Sequence, residues 1–119
     1  MPEGDVSLVD LELERVREWR KYYKDPLKYV KKMREVVRRR DPEARVLLFG
    51  SWVAGEARPD SDIDVLVVTR LAGDVRARLD LRMNIAREVG ECTPFEVHIV
   101  TPEEFEAWYK RFLKEYVEV

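Results

Sequence analysis

The sequence predicts an α+β domain, a small mixed sheet of three or four strands packed with helices and preceded by two extra helices. Three observations predict it. Apolar residues recur at helical spacing through the first forty positions. Three short apolar runs, 46–49, 62–68 and 95–100, are each bounded by Gly, Pro or Asp, as strands are. Helical patterns separate those runs, and three strands are too few for a doubly wound dinucleotide-binding sheet.

Taken in order, Val9, Leu13, Val16, Trp19 and Tyr23 mark the first amphipathic helix. Asp25-Pro26 caps a second, with Leu27, Val30, Met33 and Val37 on its inner face; Arg38-Arg39-Arg40 suits its negative end, and Asp41-Pro42 stops it. A strand at 46–49 leads into Gly50-Ser51 and a short helix ending near Gly55. The run 62–68 is apolar on both faces once past its aspartates, as in a covered central strand. Gly73-Asp74 opens a long helix carrying Val75, Leu79, Met83 and Ala86, with Val89 at its end and Gly90 as its stop. Residues 95–100 form the third strand, and Thr101-Pro102-Glu103-Glu104 combines a capping box with a first-turn proline to start the last helix. Phe105, Trp108, Phe112 and Tyr116 form an aromatic stripe along it, read as core or, in excess of that, as a partner surface.

At 119 residues the chain is one domain, with residues 1–42 an N-terminal helical segment and 43–119 the catalytic core. A chain of this size buries roughly two-thirds of its unfolded surface. The net charge of −2 conceals a segregation: residues 1–14 hold five acids and no base, residues 15–40 twelve bases against three acids. Such a block attracts RNA, nucleotide or an acidic partner, or is the solvated face of two helices. Cys92 is the single cysteine, read as a small buried residue, so neither an intrachain disulfide nor a cysteine zinc site can form. No signal peptide is evident and no apolar run approaches the roughly 20 residues a membrane span needs, so no membrane role and a cytoplasmic location are expected.

The chemistry concentrates in residues 50–64. On a strand, alternate residues share a face, so Asp62 and Asp64 present two carboxylates together. Crowded carboxylates persist when they share a proton or meet cations. Just upstream, Gly50 lets backbone approach a phosphate, and Ser51 offers a hydroxyl to a β- or γ-phosphate. Together these read as a site for Mg²⁺, two ions in a nucleotidyl-transfer arrangement, and a nucleoside triphosphate. Glu96 lies on the matching face of the third strand and serves as third ligand, or helps take the proton of an attacking hydroxyl. Ser61 is placed to orient Asp62, and Arg58 to contact the triphosphate. His98 reads first as a hydrogen-bonded structural side chain, with a nucleotide contact as the alternative. Trp52 stacks on a base or packs in the short helix.

Gly50-Ser51, ten residues, then Asp62-Ile63-Asp64, with Gly55-Glu56-Ala57-Arg58-Pro59-Asp60-Ser61 between, resembles the signature of minimal nucleotidyltransferases of the DNA polymerase β-like superfamily. The resemblance covers residues 46–104. It implies a small α+β fold, Mg²⁺, and transfer of AMP from ATP to an acceptor. Stand-alone proteins of this size resemble antitoxins whose partner is a HEPN-domain ribonuclease toxin, bound and in some systems modified on a tyrosine. The loop departs from the family pattern at Val53 and Ala54, where an arginine is common at the second position, and Glu96 stands where Asp is common. A binding antitoxin without catalysis, or a transferase acting on a small molecule or an RNA end, are the alternatives.

Overall fold

The structure, a computed structural model, describes residues 7–56, 58 and 61–119. Ala57, Pro59 and Asp60 of the signature loop, residues 1–6 of the acidic stretch and the side chain of Phe112 lie outside the described residues.

Helix α1 (Leu8–Lys24) starts at Ser7, whose hydroxyl accepts from the Asp10 N–H. Asp25 separates it from α2 (Pro26–Arg38), which has proline in its first turn. Strand β1 (Arg45–Phe49) is followed by β2 (Ile63–Val68), a 3₁₀ turn at Arg70–Gly73 and α3 (Val75–Val89). The Asp74 carboxylate caps α3 by accepting from the Ala77 N–H, and Gly90 at φ 123° ends it. After β3 (Phe95–Val100) comes α4, which begins at Pro102–Glu104, widens into a π-helical Phe105–Tyr109 and closes with Lys110–Phe112. The predicted capping box is present, with Thr101 and Glu104 satisfying each other's backbone N–H groups. A last strand, β4 (Tyr116–Glu118), completes the chain.

The sheet order is β3-β2-β1-β4, with β2 and β3 parallel and the other pairs antiparallel. Helix α3 makes the crossover that a parallel pair requires. One face, built from Val46, Leu48, Ile63, Val65, Val67 and Ile99, packs with α2 and α3. Leu47, Leu66, Val68 and Val100 on the other face meet Phe105, Tyr109 and Leu113 of the C-terminal segment. Central strand β2 is therefore apolar on both sides, as its sequence predicts, apart from Asp64. Beneath the sheet, buried Asp41 accepts from the Thr69 hydroxyl at 2.7 Å and the Glu43 N–H at 3.1 Å, joining the end of α2 to the end of β2.

Four local expectations are corrected. The aromatic stripe does not run to Tyr116 on one helix: the helix stops at Phe112 and Tyr116 belongs to β4. Pairing β4 with β1 satisfies an otherwise open sheet edge, and Arg45 clamps Glu118 through two bonds of 2.9 and 2.6 Å. Phe105 is buried as core, whereas Trp108 is exposed. Ser51–Gly55 is a set of hydrogen-bonded turns rather than a short helix, closed by Ala54 N–H to Gly50 O and Glu56 N–H to Ser51 O. Cys92 is exposed, its carbonyl accepting from the Trp19 indole. On α3 the sheet takes Ala77, Leu81, Ile85 and Val89, leaving Val75, Leu79 and Met83 outside. That helix carries two apolar stripes, and periodicity alone does not say which one a sheet covers.

Leu81→Ala should therefore cost about 2–5 kcal/mol, the range for truncating a buried leucine. Leu79→Ala should stay within about 0.5 kcal/mol. Urea denaturation of the two variants checks the assignment, and equal losses would contradict it.

Candidate functional site

The site forms where β1 ends and β2 begins. Phe49, last in β1, pairs with Asp64, and the chain turns at once through Gly50 at φ 84°. A Cβ at Gly50 would overlap the Asp64 carboxylate oxygen Oδ2. Glycine is thus required twice over, by the left-handed backbone and by the carboxylate that it abuts. Gly50, Ser51 and Ala54 form one wall of an open cleft of about 430 Å³, and Leu113, Lys114 and Glu115 form another. Lys114 brings one positive charge to this cleft, beside the carboxylates of Glu56 and Glu115. Nothing in the sequence marks it, because only the turn after α4 carries it there.

Parallel pairing sets Asp64 opposite Glu96 and Leu66 opposite His98. The two-residue alternation of β3 turns Glu96 and His98 to the same side. The His98 Nε2 lies 4.0 Å from Asp64 Oδ1 and 3.8 Å from Glu96 Oε1. One ligand atom from each of the three residues falls within 4.8 Å of the others. The rings of Phe49 and Tyr109 flank the imidazole, centroids 5.8 and 6.5 Å away.

Burial raises the Asp64 carboxyl above its ordinary range, and the negative charge of Glu96 pushes it the same way. His98 opposes the shift, while a hydrogen bond with Glu96 and the charge of Asp62 add to it. A bound cation would relieve this cost, since every raising influence penalises uncompensated negative charge. The donor set fits a divalent cation: the carboxylate oxygens suit Mg²⁺, and an added imidazole nitrogen suits Mn²⁺ as well.

The residues singled out in the sequence do not all converge. Asp64 and Glu96 meet as expected. Asp62 precedes β2, is exposed, and stands outside the three-residue group while still contributing to the field at Asp64. His98, read from sequence as structural, sits inside that group. Its position on the Glu96 face is the signal that could have found it. Ser61 does not orient Asp62 through the bond expected of its hydroxyl. That hydroxyl accepts from the Arg58 N–H at 2.7 Å, and the Ser61 N–H donates to the Arg58 carbonyl at 3.0 Å. The Ser61 carbonyl in turn accepts from the Tyr23 hydroxyl at 2.6 Å, so α1 holds the loop ahead of Asp62. Trp52 packs against the α2–α3 core rather than lining the cleft.

Two outcomes test this geometry. Gly50→Ala should lose about 1–3 kcal/mol from its backbone conformation alone, with a further loss from the displaced Asp64 carboxylate. Asp64→Asn should instead raise the Tm at neutral pH. The raised pKa means that Asp64 favours folding below its unfolded value of 3.8 and that this contribution is lost as pH rises through the folded value. Its removal should therefore stabilise at pH 7 and not at pH 3. A calorimetric pH series reads the difference, and a lower Tm at pH 7 would overturn the electrostatic reading.

The nucleotidyltransferase-domain family matches residues 30–118. Among solved structures, a protein crystallised as a presumptive nucleotidyltransferase is 31% identical, with 75% of this chain and 95% of that one covered and a TM-score of 0.62. A second, solved as a presumptive nucleotidyltransferase from Sulfolobus solfataricus, is 22% identical over 98% of this chain and 90% of its own, with a TM-score of 0.53, a likeness of fold. Among curated proteins none matches. A match that runs from inside α2 to the last strand takes in the whole sheet and its carboxylate pair, and the chain belongs to the nucleotidyltransferase domain family.

Proposed function

We propose that this chain transfers AMP from ATP to a hydroxyl group on a protein, and that the acceptor is a HEPN-domain ribonuclease toxin to which the chain is the antitoxin. Nucleotidyl transfer is the general chemistry of the family. The single observation that carries the mechanistic reading is the parallel register that sets Asp64 beside Glu96 at the Gly50 turn. The antitoxin assignment draws on the signature loop and the small size of the chain.

Asp62, Asp64 and Glu96 would hold the Mg²⁺ ions, with His98 beside them. When bound, the ions would neutralise the triphosphate and make the acceptor hydroxyl more acidic. Gly50 lets the turn approach the phosphates, and the Ser51 hydroxyl donates to a β- or γ-phosphate oxygen. Arg58, in the loop ahead of Asp62 and bonded there to Ser61, would contact the triphosphate. The hydroxyl oxygen bonds to the α-phosphorus as the bond to the β-phosphate bridging oxygen breaks, so pyrophosphate leaves. Glu96, more than half exposed, accepts the hydroxyl proton or passes it to water. The cleft is open on this chain, so an acceptor protein would itself enclose the reacting groups and exclude water.

A second reading takes an RNA end as acceptor. It draws on the exposed Lys and Arg side chains along α1 and α2, several of them lying over Trp19, Tyr22 and Tyr29. RNA binding through them would weaken steeply with salt.

Intact-mass analysis of a HEPN-domain toxin co-produced with this chain, with ATP and Mg²⁺ supplied, should show an added AMP. Asp64→Asn should cut the rate of addition by at least about 10²-fold while leaving the complex assembled. An adduct that forms equally with the variant would reject the metal-ligand assignment. A stable complex without adduct would replace modification by neutralisation through contact.

A further inference from the structure

Two exposed surfaces of this chain complement each other, and the first belongs to α1. Every residue from Ser7 to Arg15 is exposed, with Leu8, Val9, Leu11 and Leu13 between 50% and 79% exposed. The stripe that seats the second half of the helix, through Val16, Trp19 and Tyr23, continues outward as Val9 and Leu13. The whole molecule, this arm included, extends 56 Å along its longest axis against 31 and 22 Å along the others. From Ser7 to Glu14 this arm carries Asp10, Glu12 and Glu14 and no base, the first being Arg15, whose guanidinium lies over the Trp19 ring. At 100° per residue, Glu12 and Asp10 flank the Val9–Leu13 stripe on its two sides.

The second surface is the outer stripe of α3, where Val75, Leu79 and Met83 are 55–62% exposed. Arg82, whose guanidinium donates to the Val97 carbonyl at 2.8 Å, flanks that stripe on one side, and Arg76 and Arg87, with Asp80 beyond them, flank it on the other. An apolar stripe edged by acids thus has its chemical complement in an apolar stripe edged mainly by arginines. The arm does not meet its own α3. Its anchor, Tyr22 to the Val89 carbonyl and Trp19 to the Cys92 carbonyl, lies at the far end of that helix, and the arm is exposed throughout.

We infer that the occupant of the α3 stripe is the α1 arm of a second copy of this chain. Two copies related by a two-fold axis would each lay an arm on the other's α3, a closed reciprocal exchange. Both halves of the complementary pair reside on one chain in equal number, so self-association covers both at once. A different protein would have to match the acidic arm and the basic stripe separately. Neither the arm nor the α3 stripe contributes a residue to the cleft beside Gly50, so this association does not rest on the proposed transfer reaction.

Sedimentation equilibrium of the full chain should show a reversible dimer that weakens as salt rises. Leu13→Glu and Leu79→Glu, both at exposed positions, should each weaken dimerisation by at least about tenfold with helicity and Tm of the monomer unchanged. Glu12→Arg alone and Arg76→Glu alone should weaken it, and the two together in one chain should restore it. A chain that stays monomeric at high micromolar concentration would overturn the inference. So would a dimer indifferent to Leu79→Glu, or capture of the α3 stripe by a different protein while this chain stays monomeric.

Discussion

The parallel pairing of β2 with β3 is the constraint on which the rest depends. It sets Asp64 level with Glu96, on strands about 4.8 Å apart, where two carboxylates repel. Such proximity persists only if the strands cannot move apart. Val65, Leu66 and Val67 have no exposed surface and pack on both faces, so shifting β2 would open two layers of core at once. A slip of one residue would turn Glu96 away and bring an apolar neighbour to the site, at the cost of every buried contact in β3. The apolar sheet thus supplies the rigidity that an electrostatically unfavourable site needs.

The two N-terminal helices serve that site from a distance. Tyr23 holds the carbonyl of Ser61. Tyr22 holds the carbonyl of Val89, close enough to Gly90 that a Cβ there would lie 2.8 Å from its hydroxyl. Rings of Tyr22, Tyr29 and Phe95 meet edge-on or tilted, so α1, α2 and the start of β3 share one aromatic cluster. The loop before Asp62 and the turn before Phe95 are therefore braced by the same helix, each a few residues from a carboxylate of the site. The charged ends of Lys21, Lys28 and Lys32 lie over the Tyr22 and Tyr29 rings and that of Arg15 over Trp19, 5.0–5.8 Å from the ring centres, as cation–π contacts.

Much of this was legible because local rules and global packing agree. The capping box at Thr101, the proline at the start of α2 and the glycine at the end of α3 mark helix ends through backbone chemistry that operates whatever the tertiary context. Strand β3 was readable as 95–100 because alternation and flanking turn residues agree. Strand β4 was not, because three exposed residues carry no period; it exists because the edge of β1 and the Arg45 guanidinium receive it. Glu96 was found from its parity. His98 has the same parity, but an imidazole serves a core as readily as a site, and only its 3.8–4.0 Å approach to two carboxylates separates the roles.

The sequence by itself determined the elements whose signals are local: two leading helices, three strands, a glycine turn and a pair of aspartates at the start of a buried strand. Those follow from periodicity, capping and the conformational freedom of glycine, which act over a few residues. Only the tertiary structure decided which stripe of α3 faces the sheet, that Asp64 rather than Asp62 stands with Glu96 and His98, and that Lys114 reaches the cleft. Each of these depends on contacts between residues far apart in the chain, whose energies are set by packing and charge together. No local pattern encodes them, because the same residues would satisfy the same local rules in another arrangement.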